Sequence, residues 1–148
     1  MQLLEHINQI VYLNHKMMKK LLVATMMFMG IAISGFAQQA KVIALVNKAS
    51  WCTVCQANGP RFEKDIMPMA MANKDVQIVI DDLSDEKTKA ASLPMLQKAG
   101  IASFAKKNTG TGTLYFIDAK SKKLISEVSL AKSDEEIKKV YMAALAKG

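Results

Sequence analysis

The chain has only two cysteines, and they stand three residues apart in WCTVC, residues 51–55. The apolar run KVIALVN precedes this motif and is rich in Val and Ile, which is typical of a buried β-strand. A segment of helical character follows, so the cysteines lie where a strand passes into a helix. Cys52 is then at the helix N-terminus, and Cys55 lies one turn further along. This spacing brings the two sulfur atoms within bonding reach.

The position of Cys52 favours its ionised form. Unsatisfied backbone N–H groups and the helix dipole stabilise a thiolate, and the thiolate is the species that attacks a disulfide. We therefore expect Cys52 to be an exposed nucleophile and Cys55, more buried, to be the resolving thiol. Lys48 is the nearest cation in the sequence and would lower the pKa of Cys52 if its side chain points inward. A permanent structural disulfide is the alternative that the two residues leave open.

Composition excludes several other classes of site. The chain has 148 residues, 51% hydrophobic and 22% charged, which suits one globular domain. Both histidines, His6 and His15, precede residue 38. The remainder therefore lacks a Ser-His-Asp triad, a Cys-His nucleophile pair and the four ligands of a Cys/His zinc site. The net charge is +7, but the lysines are scattered among acids and Arg61 is the single arginine, so a solvated surface explains them better than nucleic-acid binding.

The first 37 residues differ from the rest. Residues 17–37 contain two lysines, an apolar run and small residues that end at Ala37, which is the pattern of a cleaved secretory signal peptide. The apolar run is short for a membrane helix, which needs about 20 residues. We expect residues 1–16 to be an upstream extension and residues 38–148 to be an exported domain, periplasmic or secreted. An uncleaved N-terminal membrane anchor is the alternative.

The pattern of the exported domain predicts an α/β fold with the element order β-α-β-α-β-β-α, in which a central mixed sheet is flanked by helices on both faces. Four strands are predicted, the last two as a hairpin, at residues 41–47, 76–81, 113–118 and 123–130. Helices are predicted at residues 52–72, at residues 84–107 and after a capping box at residues 133–136. Breaks in the first two helices are expected at Pro60, Pro68, Pro94 and Gly100.

These features resemble the thioredoxin-fold thiol–disulfide oxidoreductases, in which a C-x-x-C pair lies near a βαβ pattern. The matching residues are Trp51 directly before the pair, Cys52 and Cys55 themselves, and Pro60 five residues later, where the family's first helix bends. The resemblance extends from residue 41 to about residue 146, with the third predicted strand and the capped final helix in the expected order.

The resemblance implies an exported thiol–disulfide oxidoreductase that needs no cofactor and no metal, because the dithiol carries the two electrons. Its partners would be protein or small-molecule thiols and disulfides, with a membrane reductase or an oxidase to recycle it, and we expect a monomer that binds no nucleic acid. It also implies a Cys52–Cys55 disulfide in the oxidised form. The expected neighbours of the pair are Trp51, Thr53, Val54, Pro60, Thr111, Gly112 and Thr113.

Three positions depart from the family pattern. Gly112 stands where the family has a cis-proline, and we expect glycine to loosen the backbone edge that pairs with the substrate. Val46 stands where thioredoxins carry a buried acid that accepts a proton. Thr53 and Val54, both β-branched, are a poor helix start and carry no positive charge. These departures support a second hypothesis, a non-catalytic thioredoxin-like binding module with a structural disulfide.

Three further segments carry weaker functional interpretations. The methionines of residues 67–71 suggest a Cu(I) site, but Met67 and Met71 would share a helical face, and core packing explains them better. The acids of residues 81–85 are better explained as strand-end and capping residues than as a cation site. Residues 102–109 have the character of an insertion before the third strand, and we expect them to contribute to partner specificity.

Overall fold

The computed structural model describes residues 40–148, so the predictions on residues 1–37 lie outside the described part of the chain. Within it, strands and helices follow one another as β1 (Val42–Lys48), α1 (Thr53–Arg61), α2 (Met67–Ala72), β2 (Val76–Asp82), α3 (Glu86–Lys98), α4 (Ala102–Lys107), β3 (Thr113–Asp118), β4 (Leu124–Ser129) and α5 (Asp134–Leu145). The segment Phe62–Ile66 between α1 and α2 is π-helical.

The four strands form one mixed sheet in the order β2-β1-β3-β4. Strand β1 is parallel to β2 and antiparallel to β3, and β3 pairs with β4 as the predicted hairpin. The first six residues of β1 are all buried, which explains why KVIALVN shows no alternation of apolar and polar residues. The predicted α/β class and mixed central sheet are therefore confirmed.

Side chains that alternate along the strands feed two separate cores. Val42, Ala44 and Val46 of β1 pack with residues of α2, α5 and the π-helical segment, on what we call the front face. Ile43 and Leu45 point the other way and pack with residues of α3 and α4, on what we call the back face. The sheet is thus covered by helices on both sides, as the element order predicts.

The prolines act differently from one another. Pro60 lies inside α1, and the regular hydrogen-bond pattern changes directly after it, where the Met67 N–H bonds the Phe62 carbonyl in a π-turn. Pro68 falls in the first turn of α2, where its missing N–H has no partner to lose. The predicted break at Pro94 is wrong: α3 continues through this exposed position, where water can reach the carbonyl that the proline leaves without a donor.

The ends of the later helices follow local signals. Helix α3 begins one residue later than predicted, because Asp85 rather than Ser84 is its N-cap and accepts from the Thr88 N–H. Gly100, at φ +70°, ends the α3 segment, and α4 follows as a separate helix. The predicted capping box of α5 is present, with Ser133 and Glu136 satisfying each other's backbone N–H groups.

Within residues 40–148, no helix has the length and apolar character to cross a membrane.

Candidate active site at Cys52 and Cys55

Cys52 follows β1 through a tight turn, in which its N–H donates to the Ala49 carbonyl at 3.1 Å. It has extended backbone angles and is the N-cap of α1, and its Sγ accepts from the Cys55 N–H at 3.2 Å. A sulfur atom therefore takes the place of the hydroxyl or carboxylate oxygen that usually caps a helix. The two Sγ atoms lie 2.6 Å apart, so a small movement would close them to the disulfide length of about 2.05 Å.

The pKa values of the two thiols are shifted in opposite directions. Burial disfavours the Cys52 thiolate, but hydrogen bonds from the Cys55 thiol, from the Thr111 side chain and from the backbone of Cys55 and Val54 outweigh it and lower the pKa of Cys52. Burial, followed by the interaction with Cys52, raises the pKa of Cys55. Cys52 is therefore the more acidic thiol of the pair, which favours Cys52 as the attacking thiol.

The predicted exposure of the two thiols is wrong. Cys52 is only 6% exposed, whereas Cys55 is half-buried. The loop before β3 covers Cys52, since a Cβ added at Gly112 would lie 3.3 Å from the Cys52 sulfur. A substrate can reach this sulfur only if the covering loop or the substrate adapts.

The loop before β3 is held in place rather than loosened. Gly112 has φ +69°, its N–H donates to the Asn47 carbonyl at 2.9 Å, and its carbonyl accepts from the Leu130 N–H at 2.8 Å. A Cβ at this position would lie 2.7 Å from Cγ1 of Val54. Backbone conformation and space both require glycine here, so the expectation that it loosens this edge is wrong. Among the described peptide bonds, none is cis.

Asn47 is a residue that the sequence interpretation did not assign to the site. It is fully buried at the end of β1, and its Nδ2 donates to the Asn108 carbonyl at 2.6 Å. Together with the bond from Gly112 to the Asn47 carbonyl, this contact ties both ends of the loop of residues 108–112 to β1. A polar residue at the end of a continuous apolar run was the available signal, because such a residue needs a hydrogen-bond partner once it is buried.

Trp51 presents an apolar surface beside the pair. Its side chain is 61% exposed, and the indole Nε1 donates to the Ser84 carbonyl at 3.2 Å. The Ser84 hydroxyl in turn accepts from the Ser50 N–H at 2.8 Å. Ser84, which the sequence pattern assigns to a helix N-cap, instead connects the turn before Cys52 to the end of β2. No simple sequence signal distinguishes these two roles of a serine after a strand.

A cavity of about 270 Å³ lies on the front face, and Cys55 forms part of its wall. Val46, which stands where thioredoxins carry a buried acid, also lines this cavity. The charged residues of its wall are Lys48, Glu63 and Asp82. Lys48 lies 3.6 Å from the carboxylate of Asp82. The expectation that Lys48 lowers the pKa of Cys52 therefore gains no support: the groups that lower this pKa most are hydrogen-bond donors.

The remaining predicted neighbours divide into two groups. Val54 is half-buried and packs beneath Gly112. Thr113 follows Gly112 and is the first residue of β3. Thr53 is exposed in the first turn of α1, while Pro60 lies near the end of that helix and shapes it rather than lining the pair.

In the described part of the chain, no group of three His, Cys, Asp or Glu side chains is close enough to bind an ion, so the acids of residues 81–85 do not form such a cluster. Met67 and Met69 pack against the front core, whereas Met71 is 70% exposed. The prediction that both Met67 and Met71 are core residues is therefore wrong for Met71, which lies near the C-terminal end of α2 and faces solvent.

Solved structures with the thioredoxin fold are similar to this chain. A "putative protein disulfide isomerase" from Bacteroides thetaiotaomicron is 25% identical, over 70% of this chain and 72% of that one, with a TM-score of 0.46. Thioredoxin from Wuchereria bancrofti is 18% identical, over 73% and 84%, with a TM-score of 0.45. Thioredoxin f2 from Chlamydomonas reinhardtii is 15% identical, over 71% and 81%, with a TM-score of 0.42. Neither a protein-family model nor a curated protein matches the chain.

Proposed function

We propose that this protein is an exported thiol–disulfide oxidoreductase in which Cys52 attacks and Cys55 resolves. The observation that carries the proposal is the asymmetry of the pair: Cys52 caps α1, accepts the Cys55 N–H and has a lowered pKa, while Cys55 has a raised pKa and lies 2.6 Å away, sulfur to sulfur. A thiolate nucleophile beside a protonated second thiol is the arrangement that two-step exchange needs.

In the reducing direction, the Cys52 thiolate attacks one sulfur of a substrate disulfide. A Cys52–substrate disulfide forms, the substrate S–S bond breaks, and the leaving thiolate takes up a proton. Cys55 then loses its proton and attacks the Cys52 sulfur, which releases the second substrate thiol and leaves a Cys52–Cys55 disulfide. Two electrons have passed to the substrate. The reverse sequence oxidises a dithiol, and an electron donor or acceptor restores the starting state.

The surroundings support both halves of this cycle. The cavity beside Cys55 has room for water, which can take the proton that this thiol must lose in the second step. Exposed Trp51 offers an apolar contact for a peptide or a small thiol next to Cys52. The substrates would be protein or small-molecule disulfides, and a membrane reductase or an oxidase would recycle the pair.

An insulin-reduction assay with the full chain tests the proposal. We expect turnover in the wild-type protein and none in Cys52→Ser. Cys55→Ser should accumulate a mixed disulfide between Cys52 and the substrate, because the resolving thiol is missing, whereas Cys52→Ser should not. If both variants trap substrate equally, or neither does, the assignment of roles is incorrect.

A non-catalytic binding module is the second candidate, and the 6% exposure of Cys52 favours it. In this case the two cysteines would form a permanent disulfide behind the loop of residues 108–112. The reduction potential separates the two functions, because structural disulfides lie below about −300 mV. A potential in that range without insulin turnover would replace the enzyme proposal by the binding module.

Export is proposed from the amino-acid pattern of residues 17–37. Expression of the full chain in a bacterial host, followed by fractionation and mass measurement, is the test. We expect a periplasmic protein that begins at Gln38. A protein of full mass in the membrane fraction would instead support the uncleaved anchor.

A further inference from the structure

A second cavity, of about 570 Å³, lies on the back face, between α3 and α4 at the end of β2. This volume is within the range of about 300–1,000 Å³ that small-molecule sites occupy. The wall is mostly apolar and is formed by Leu83, Ala90, Leu93, Leu96, Ala102 and Ala105. The cavity is separated by the sheet from the one that Cys55 lines, because it belongs to the opposite core. Helix α4 and Thr109, part of the segment that has the character of an insertion, form one side of it.

One carboxylate is buried in this wall. Asp81 lies two residues after Val79 in β2, so its side chain points to the same side of the sheet, the back face. It is only 4% exposed. Among residues 40–148, no hydrogen-bond donor and no cation lies within bonding distance of its side chain, although other buried carboxylates of proteins are normally paired. An aspartate without a donor in an apolar wall is unfavourable, and a ligand that brings a donor would remove this penalty.

The other charged groups lie at the open side of the cavity. Glu86, Lys89 and Lys106 are exposed residues of its rim, and the Lys89 ammonium is 2.7 Å from the Glu86 carboxylate. Lys89 acts on Asp81 electrostatically, but burial and the neighbouring Asp82 carboxylate outweigh it and raise the pKa of Asp81. The deepest charge-bearing group is thus an acid, while the cations of the rim are solvated and one of them is already paired.

We propose that this back-face cavity binds a small molecule with an apolar body and a protonated amine, the amine donating to Asp81. The apolar body would pack against the leucine and alanine side chains of α3 and α4. An anionic ligand fits less well, because its charge would meet the buried carboxylate before it reached the lysines at the rim. The ammonium–carboxylate contact would be a charge-assisted hydrogen bond, which is stronger than one between neutral groups.

A titration of the full chain with three probes of equal length tests this site: hexylamine, 1-hexanol and hexanoate at pH 7, followed by ¹H–¹⁵N NMR. We expect hexylamine to bind about tenfold more tightly than 1-hexanol, and hexanoate to bind most weakly. The shifted resonances should belong to α3, α4 and the end of β2. Asp81→Asn should reduce the affinity for hexylamine about tenfold while leaving that for 1-hexanol within about twofold.

Asp65→Asn is the matched control, because this aspartate is exposed on the π-helical segment and lines neither cavity. It should leave all three affinities unchanged. Equal binding of hexylamine and 1-hexanol, retention of the amine preference in Asp81→Asn, or no binding of any probe would each overturn the proposal. The Cys52→Ser/Cys55→Ser double variant should bind hexylamine as the wild type does, so this outcome is independent of the thiol chemistry.

Discussion

Asp81 and Asp82 are neighbours at the end of β2, yet they lie on opposite faces of the sheet. Asp82 lines the front cavity beside Cys55, where it accepts from the Ser84 hydroxyl and N–H and faces Lys48. Asp81 lines the back cavity, where no described residue donates to it. Burial opposes the ionisation of both carboxyls, but the partners of Asp82 lower its pKa, whereas the pKa of Asp81 is raised.

The contrast shows that residue type and position in the chain do not decide what an acid does. Because side chains alternate along a strand, the two carboxyl groups lie on different faces of the sheet. The groups around each carboxyl then determine the direction in which its pKa shifts. On the front face, the Asp82 carboxylate is paired with Ser84 and Lys48. On the back face, the Asp81 carboxylate is left for a donor from outside the chain. The predictions below test this difference.

The largest effect is expected from Gly112→Pro, in the loop that touches both regions through Thr109 and Thr111. Proline cannot adopt φ +69° and would lose the N–H that bonds the Asn47 carbonyl, so we expect a loss of about 3 kcal/mol or more in the free energy of unfolding. Urea denaturation measures it. Gly59→Ala is the control, because this helical glycine has open space around its Cβ position apart from its chain neighbours. The gain in helix propensity is opposed by crowding against Pro60, so we expect a change of less than about 1 kcal/mol. An unchanged Gly112→Pro midpoint would contradict the described loop.

Asp82→Asn should destabilise the front face by about 1–3 kcal/mol at pH 7, because it weakens charge-assisted hydrogen bonds from Ser84. The folded-state pKa of Asp82 is lowered, so its contribution is present above the ordinary aspartate pKa of about 3.9 and is lost as the pH falls through the folded value. Denaturation curves at several pH values should therefore converge for variant and wild type at the acidic end. A constant difference would point to packing rather than charge.

Asp81→Asn should change the free energy of unfolding in the opposite direction from Asp82→Asn. We expect it to stabilise the protein by about 1 kcal/mol at pH 7, because a buried unpaired charge is removed. The folded-state pKa of Asp81 is raised by burial and by Asp82, with Lys89 opposing, while Glu86 and Lys106 face the same cavity. The wild type therefore loses stability as the pH rises from about 3.9 through the raised value. The variant should lack this component; destabilisation at pH 7 would remove the contrast with Asp82.

Thr111→Val gives the smallest expected change, confined to the chemistry of Cys52. Loss of the hydrogen bond from Thr111 raises the pKa of Cys52, so alkylation by iodoacetamide at a pH below that pKa should slow by about three- to tenfold. Mass spectrometry of the Cys52 peptide across a pH series measures the shift. Thr111→Ser keeps a hydroxyl and should restore the wild-type profile. Equal profiles for the Val and Ser variants would show that this hydroxyl does not act on the sulfur.

Local patterns were sufficient for most of the fold. A strand buried on both faces has to be continuously apolar, which is why residues 41–47 identify β1 without tertiary information. The capping box at Ser133 and the breaking effect of Gly100 are likewise local, since they depend on hydrogen bonds and backbone angles within a few residues. Pro94 shows the limit: whether a proline ends a helix depends on what lies around it, which the sequence does not state.

The candidate site divides in the same way. That Cys52 and Cys55 stand one helical turn apart, after a strand and with no histidine in residues 38–148, follows from the amino-acid sequence alone. That Cys52 is the more buried thiol, that Gly112 and Asn47 hold the loop over it, and that Asp81 is left without a donor were decided only by tertiary structure. Spacing and patterning act between residues close in the chain, whereas burial and hydrogen-bond partners come from segments distant in sequence, which only packing brings together.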